Sequence, residues 1–205
     1  MTQVLTALPN CRVTAYSSLW KNLKKKLGSF KLKAEEGALY KGEIIGVLGE
    51  NGIGKTTFVK ILAGLIKPDS GELNKKIKVS YKPQYLDADS DLLVAEYLKE
   101  AVINYNNQLI KPLELEKLFT QKLSELSGGQ LQRVVIAPCL SQDAELFLLD
   151  EPLAGLNPKM VKLMYGVLKE LRAQGKTIVL IEHDMKTIHA LCDTVVVLDH
   201  GQEIA

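Results

Sequence analysis

The chain has 205 residues, which suits one domain of about 150–200 residues with a small inserted lobe. With 46% hydrophobic and 24% charged residues it can bury an ample core, and a net charge of +2 argues by itself for neither a nucleic-acid nor a membrane partner. No apolar run approaches the ~18 residues of a membrane span, the N-terminus lacks a signal-peptide core, and Cys11, Cys139 and Cys192 lack disulfide or metal spacing. The expected setting is cytoplasmic, with membrane association through a partner left open.

Residues 1–10 show no periodicity and read as a loose lead-in. Arg12 to Tyr16 alternates weakly and Phe30 to Ala34 clearly, which predicts two strands of an antiparallel edge. Between them lie Lys21, Lys24, Lys25 and Lys26, beside the single tryptophan, Trp20. Basic residues with an aromatic suit RNA; a solvated hairpin or short helix is the plainer reading. The turn at Tyr40-Lys41-Gly42 enters a buried strand at 43–48, and a helix at 56–63 closes at Gly64. Pro68 to Gly71 reads as a turn, and Ile77 to Tyr81 as a strand followed by Gln84. Residues 91–126 read as polar and helical, with Pro112 starting a short helix: a lobe inserted into a body formed by 1–90 and 127–205. Then come a helix at 128–140, an apolar strand at 145–151, a helix at 158–173, a strand at 177–181, His183, a helix at 185–192 and a strand at 194–198. Strands alternating with helices predict one α/β domain over 1–205, a mainly parallel sheet flanked by helices, with the antiparallel edge and the helical lobe attached.

The organising stretch is Gly49 to Thr57, GENGIGKTT, set between an apolar strand and a helix. That context gives the pattern G-x-x-x-x-G-K-[ST] its meaning as a P-loop, so the expected ligand is a nucleoside triphosphate. Gly49, Asn51, Gly52, Ile53 and Gly54 supply the backbone of an anion-binding nest, and the following helix aims its positive end at it. Lys55 reaches the terminal phosphates; Thr56 holds Mg²⁺, with Thr57 beside it. Asp150 and Glu151 end a strand whose carboxyl end faces the same loop. Asp150 suits Mg²⁺, and Glu151 suits the deprotonation of an attacking water. Ser127, Gly128 and Gly129 open a further helix as another anion-binding N-terminus. One nucleotide does not need two cradles from one chain, which points to a nucleotide shared with another copy.

GENGIGKTT, Gln84, LSGGQ, LFLLDE and His183 occur in this order in ABC-type ATPases, which the chain resembles over nearly its whole length. The resemblance implies ATP and Mg²⁺ as ligands and ATP hydrolysis as the activity. It implies that Gln84 contacts the metal and the attacking water, and that Ser127, Gly129 and Gln130 serve the nucleotide of a head-to-tail partner. His183 resembles the switch histidine that bonds the γ-phosphate. An adenine-stacking aromatic is also implied: Tyr16 is the candidate, with Phe30 as its competitor. YSSLWK, GSFKL, VSYKPQY and LSGGQLQRV, within residues 12–152, resemble the second ATPase half of the ribosome-recycling ABC protein, the RNase L inhibitor family. PLAGLNPK, IEHDMK and LCDTVVVLDHGQEIA, from about 152 onward, resemble ATPase subunits of branched-chain amino acid importers.

Some features depart from the pattern. The chain lacks the cysteine-rich iron–sulfur domain and first ATPase half of the recycling protein, and it stops soon after its last strand, as a fragment or minimal domain would. Asn157 stands where many relatives carry aspartate, which weakens the expected communication across a dimer. Pro138 falls inside the helix after LSGGQ, where it should kink or end it. The expectation is an ATPase that dimerises on ATP, in ribosome recycling or in solute transport. The alternative is a nucleotide-gated binding module with little turnover.

Overall fold

The computed structural model describes residues 20–74, 77–84, 90–199 and 202–203. Its strands and α-helices run β1 (Trp20–Leu27), β2 (Phe30–Gly37), β3 (Ile44–Leu48), α1 (Lys55–Leu62), β4 (Ser70–Leu73), β5 (Val79–Lys82), α2 (Val94–Tyr97), α3 (Lys99–Tyr105), α4 (Gly128–Leu140), β6 (Leu146–Asp150), α5 (Pro158–Ala173), β7 (Thr177–Ile181), α6 (Met185–Leu191), β8 (Thr194–Asp199) and β9 (Gln202–Glu203). The strand order is β4-β1-β2-β9-β8-β3-β7-β6-β5. From β8 to β5 every pairing is parallel; β4, β1 and β2 form the antiparallel edge. This is the P-loop α/β architecture expected from the sequence. The strand expected at Arg12–Tyr16, and with it Tyr16, lies outside the described residues.

The parallel strands read as unbroken apolar runs because both faces are covered. Along β6, Phe147 and Leu149 pack toward α4 and α5, whereas Leu146 and Leu148 pack toward α1 and the antiparallel edge. β7 divides the same way, with Ile178 and Leu180 on the first face and Val179 and Ile181 on the second. α1 is therefore held between sheet and hairpin, and Trp20 meets Phe58 edge-on at 5.1 Å between ring centroids. Helix ends follow local chemistry. Asn157 caps α5, its Oδ1 accepting from Met160 N at 3.0 Å, and Pro158 takes the first helical position, where its missing N–H is harmless. α4 ends at Leu140, in the same turn as Pro138.

Three expectations need correction, and one is narrowed. Of the two plain readings of the basic run the hairpin holds and the short helix does not: Trp20–Leu27 is a strand, paired with β2 across the Gly28-Ser29 turn. Alternation missed it because Asn22 sits at φ 49, bulging the pairing with β4 and turning Trp20 and Leu23 inward although they are three residues apart. Ser70–Leu73 is the edge strand β4, not part of a turn; Gly71, at φ 98, faces the bulge, and a Cβ there would lie 2.5 Å from the Asn22 carbonyl oxygen. Pro112 starts no helix. It follows a π-helical turn, Asn106–Ile110, and the chain reverses at Glu114 (φ 53) before the 3-10 turn Glu116–Leu118. Nor is the 91–126 segment polar in effect, since Leu98, Leu109, Ile110, Leu113, Leu115, Leu118 and Leu123 are buried with α4 and α5. Its elements are too short for a 3.6-residue stripe to register.

Candidate functional site

Between β3 and α1 the chain makes a loop that only glycine permits at three points. Gly49 has φ 144, and a Cβ there would sit 2.5 Å from the Leu198 carbonyl oxygen. Gly52 lies at φ 80 and Gly54 at φ 105, the latter with the Phe30 ring 2.4 Å from where its Cβ would be. No side chain caps α1, so its first-turn N–H groups remain available at the loop. Lys55 is 6% exposed, and its Nζ donates to the carbonyls of Gly49 and Glu50, both at 2.7 Å. Burial lowers its pKa, and the carboxylates of Glu151 and Asp150 oppose that shift.

The carboxyl end of β6 approaches the same place. Asp150 is 1% exposed, and neither carboxylate oxygen has a hydrogen-bond partner of proper geometry. Burial raises its pKa; the neighbouring Thr56 hydroxyl partly offsets this. A buried orphan carboxylate beside a threonine hydroxyl and Gln84 is a donor set that fits a hard cation retaining several waters, such as Mg²⁺. Glu151 adopts φ 48, uncommon for a side-chain-bearing residue, and its N–H donates to Ile181 O at 3.0 Å. His183, after β7, places Nε2 2.9 Å from Glu151 Oε1.

Three side chains that the motifs do not mark hold this corner. Lys82 is fully buried, and its Nζ donates to Asp150 O at 2.9 Å and Glu151 O at 3.3 Å; burial pushes its pKa down to about 8. Gln132 donates its side-chain N–H to Glu151 O. Glu182 Oε1 accepts from Leu153 N at 3.0 Å, and burial raises the pKa of its carboxyl. Lys82 lies two residues from Ser80 on one strand face, and both are buried.

A cavity of about 330 Å³ joins these parts, lined by Asn51, Gly52, Gly54, Lys55, Thr56, Thr57, Gln84, Asp150 and Glu151, with Phe30 and Ile181. Phe30 is the aromatic side chain among these lining residues, while Tyr16 lies outside the described residues. Gly49 shapes the loop from behind, and Ile53 turns its side chain into the core. Ser127, Gly129 and Gln130 do not line this cavity. Ser127 is exposed and caps α4 reciprocally with Gln130: Ser127 N donates to Gln130 Oε1 at 2.8 Å, and Gln130 N to Ser127 Oγ at 3.4 Å. Gly129 packs against Gly155, whose carbonyl oxygen would be 2.5 Å from an added Cβ.

Comparison with known proteins locates the fold among relatives. Residues 32–154 match the family described as ABC transporter. An uncharacterized ABC transporter ATP-binding protein of Methanocaldococcus jannaschii is 48% identical over 174 residues, covering 81% of this chain and 29% of that protein. The translation initiation factor RLI1 of Saccharomyces cerevisiae is 36% identical over 185 residues, covering 87% of this chain and 30% of that protein. Among solved structures, a complex of an archaeal ribosomal stalk protein with the archaeal ribosome recycling factor superposes with a TM-score of 0.87 at 36% identity, covering 98% of this chain and 41% of that one. The chain thus spans roughly 30% of the length of these curated relatives.

Proposed function

Because the chain belongs to the ABC transporter family of ATP-binding domains, we propose that it binds ATP with Mg²⁺ in the glycine-loop cavity and hydrolyses the γ-phosphate bond. The observation that carries this reading is the meeting, in one cavity, of the open loop, the orphaned Asp150 carboxylate and Glu151 hydrogen-bonded to His183. Thr56, Asp150 and Gln84 would hold Mg²⁺, which when bound offsets charge on the terminal phosphates. Glu151 orients the attacking water and takes its proton, while His183 fixes the carboxylate in place. Lys55 and the loop N–H groups stabilise the charge that develops on the γ-phosphate. Phe30, with Tyr16 as the alternative, stacks on the base.

Ser127, Gly129 and Gln130, at the start of α4 and outside the cavity, fit a nucleotide held by a second, head-to-tail copy, so ATP joins two domains and hydrolysis releases them. The likeness to the recycling factor favours the ribosome as the place where this cycle is used, with ABC transport as the second reading, after the M. jannaschii relative's name. Both assignments concern whole proteins of which this chain matches a part. The rival reading, a gated module with little turnover, loses weight because Asn157 caps α5 and Pro138 falls in the last turn of α4, neither lining the cavity. Phosphate release measured against protein concentration tests the proposal. Release should rise faster than linearly, and Glu151→Gln should elute as a dimer only with ATP. Binding of ATP with neither turnover nor dimer would overturn it.

A further inference from the structure

Away from the nucleotide cavity, β1 and β2 carry Lys21, Lys24, Lys25, Lys26, Lys31 and Lys33, in a chain whose net charge is only +2. The register sorts these charges. At the open end of the hairpin Lys21 faces Glu36; toward the turn Lys24 faces Lys33, and Lys26 faces Lys31. All four of these paired lysines are exposed. Like charges directly opposite one another destabilise an antiparallel pair. A merely solvated face needs polar residues, not two successive lysine–lysine pairs.

Little nearby neutralises them. Asp69 is the acid at this end, and it is engaged: Oδ1 accepts from Lys25 Nζ and Oδ2 from the Lys26 backbone N–H, both at 2.7 Å. Lys33 lies 3.6 Å from Glu35, a loose pair with both side chains exposed. Lys24, Lys26 and Lys31 have no ion-pair partner among the described residues. A shallow cavity of about 280 Å³ opens among these lysines above the buried Leu32.

We propose that this face binds the phosphate backbone of a nucleic acid without reading its sequence. Lysines two residues apart on a strand stand roughly 6.5 Å apart, comparable to the separation of successive phosphates along an extended strand. The paired rows of β1 and β2 therefore offer a track of point charges. The hairpin's aromatics are committed elsewhere, Trp20 against Phe58 and Phe30 to the nucleotide cavity, so bases have nothing here to stack on and contact stays with phosphate. A membrane fits less well, because Leu27 is the one large apolar side chain exposed on the two strands, where stable anchoring wants a basic patch plus a substantial apolar insertion. An acidic protein fits less well too, since the face lacks the apolar centre around which protein interfaces concentrate their energy. The proposal does not depend on ATP hydrolysis.

The test is fluorescence anisotropy of labelled oligonucleotides of about 20 nucleotides, one single-stranded RNA and the same sequence as DNA, titrated with the whole chain at several salt concentrations. The variant replaces Lys24, Lys26 and Lys31 together by alanine. Removing opposed like charges should leave the melting midpoint unchanged or higher, so loss of binding cannot be put down to unfolding. The expected result is at least about tenfold weaker binding at low salt and a log–log salt slope reduced by about 2, independent of base sequence. A control replacing the exposed Lys99, Lys162 and Lys169 by alanine changes net charge equally and should keep most of the affinity. Equal losses in the two variants would reduce the effect to net charge and overturn the proposal, as would no measurable binding by the wild type. So would patch-dependent binding to phosphatidylserine vesicles with oligonucleotide binding unaltered. The RNA and DNA arms identify which backbone is preferred.

Discussion

The glycine loop and the β1–β2 hairpin both turn positive charge toward an open cavity, but they build it differently. In the loop the charge is mostly backbone: N–H groups at an uncapped helix start, shaped by three positive-φ glycines, and one lysine, itself buried and tied to two carbonyls. In the hairpin it is side chain: exposed lysines on long stems, two of them facing two others. The first arrangement has its electrostatic cost settled during folding and is fixed in shape, which is what stabilising a transition state requires. The second is adaptable and screened by salt, which suits an extended polyanion of varying sequence. One substitution should therefore abolish function in the loop region and only weaken it in the hairpin.

The sharpest form of this contrast is Asp150→Asn. The isosteric amide keeps the packing and removes the charge that fits the cation. Phosphate release should fall by about 10²-fold or more, and the thermal shift induced by Mg²⁺ with ATP should disappear. Without nucleotide the variant should melt close to wild type, because relief from burying a charge offsets the lost attraction to Lys82 and the lost contact with the Thr56 hydroxyl. Substituting one hairpin lysine, such as Lys24→Ala, should leave turnover untouched. A large loss of turnover in Lys24→Ala would show that the two regions are not separable.

A smaller effect tests what holds the hairpin in place. Gly37 faces Trp20, and a Cβ there would lie 1.9 Å from the nearest indole atom, the shortest such approach among the described glycines. Gly37→Ala must displace Trp20 from Phe58, at a cost of about 1–3 kcal/mol, read as a fall in melting midpoint of roughly 3–10 °C. Because α1 is the other half of that contact, ATP affinity should weaken with it. Unchanged affinity would mean that the lysine face and the loop are mechanically independent.

The same contrast explains what the sequence made legible. The strands at 43–48, 145–151, 177–181 and 194–198, and the helices at 128–140 and 158–173, emerge within a residue or two of expectation, because a strand covered on both faces must be apolar throughout and the helices carry clear caps. Most of the motif residues expected around one nucleotide converge on one cavity because a parallel sheet brings its strand ends and the loop together. Strand β1 of the hairpin showed no alternation because its inward residues, Trp20 and Leu23, are set by a bulge at Asn22, and a left-handed asparagine leaves no periodic trace. Lys82 and Gln132 were missed for a related reason. Each is a polar residue whose partner is a backbone carbonyl at the end of β6, and backbone partners have no letter in the sequence.

The smallest predicted effect concerns Asp69, where the hairpin's two possible logics oppose each other. The hydrogen bond from Lys25, with that from the Lys26 N–H, holds the Asp69 carboxyl below its ordinary pKa. A depressed carboxylate contributes stability that is present above its unfolded value and lost as pH falls through the folded one, so this link between β1 and the lead-in to β4 loosens only in acid. Both groups are solvent-accessible, so the link is weak at neutral pH. Asp69→Asn keeps an acceptor for the Lys26 N–H and frees Lys25. If the acid is chiefly a brace, the melting midpoint falls and oligonucleotide binding is unchanged. If it is chiefly a competitor for the lysines, the midpoint barely moves and affinity at low salt rises about two- to fivefold, a gain that fades as salt increases. The second outcome is the one expected, because Asn preserves the backbone contact while the cavity loses its acid. It would make Asp69 the residue that sets how tightly the patch holds an anion.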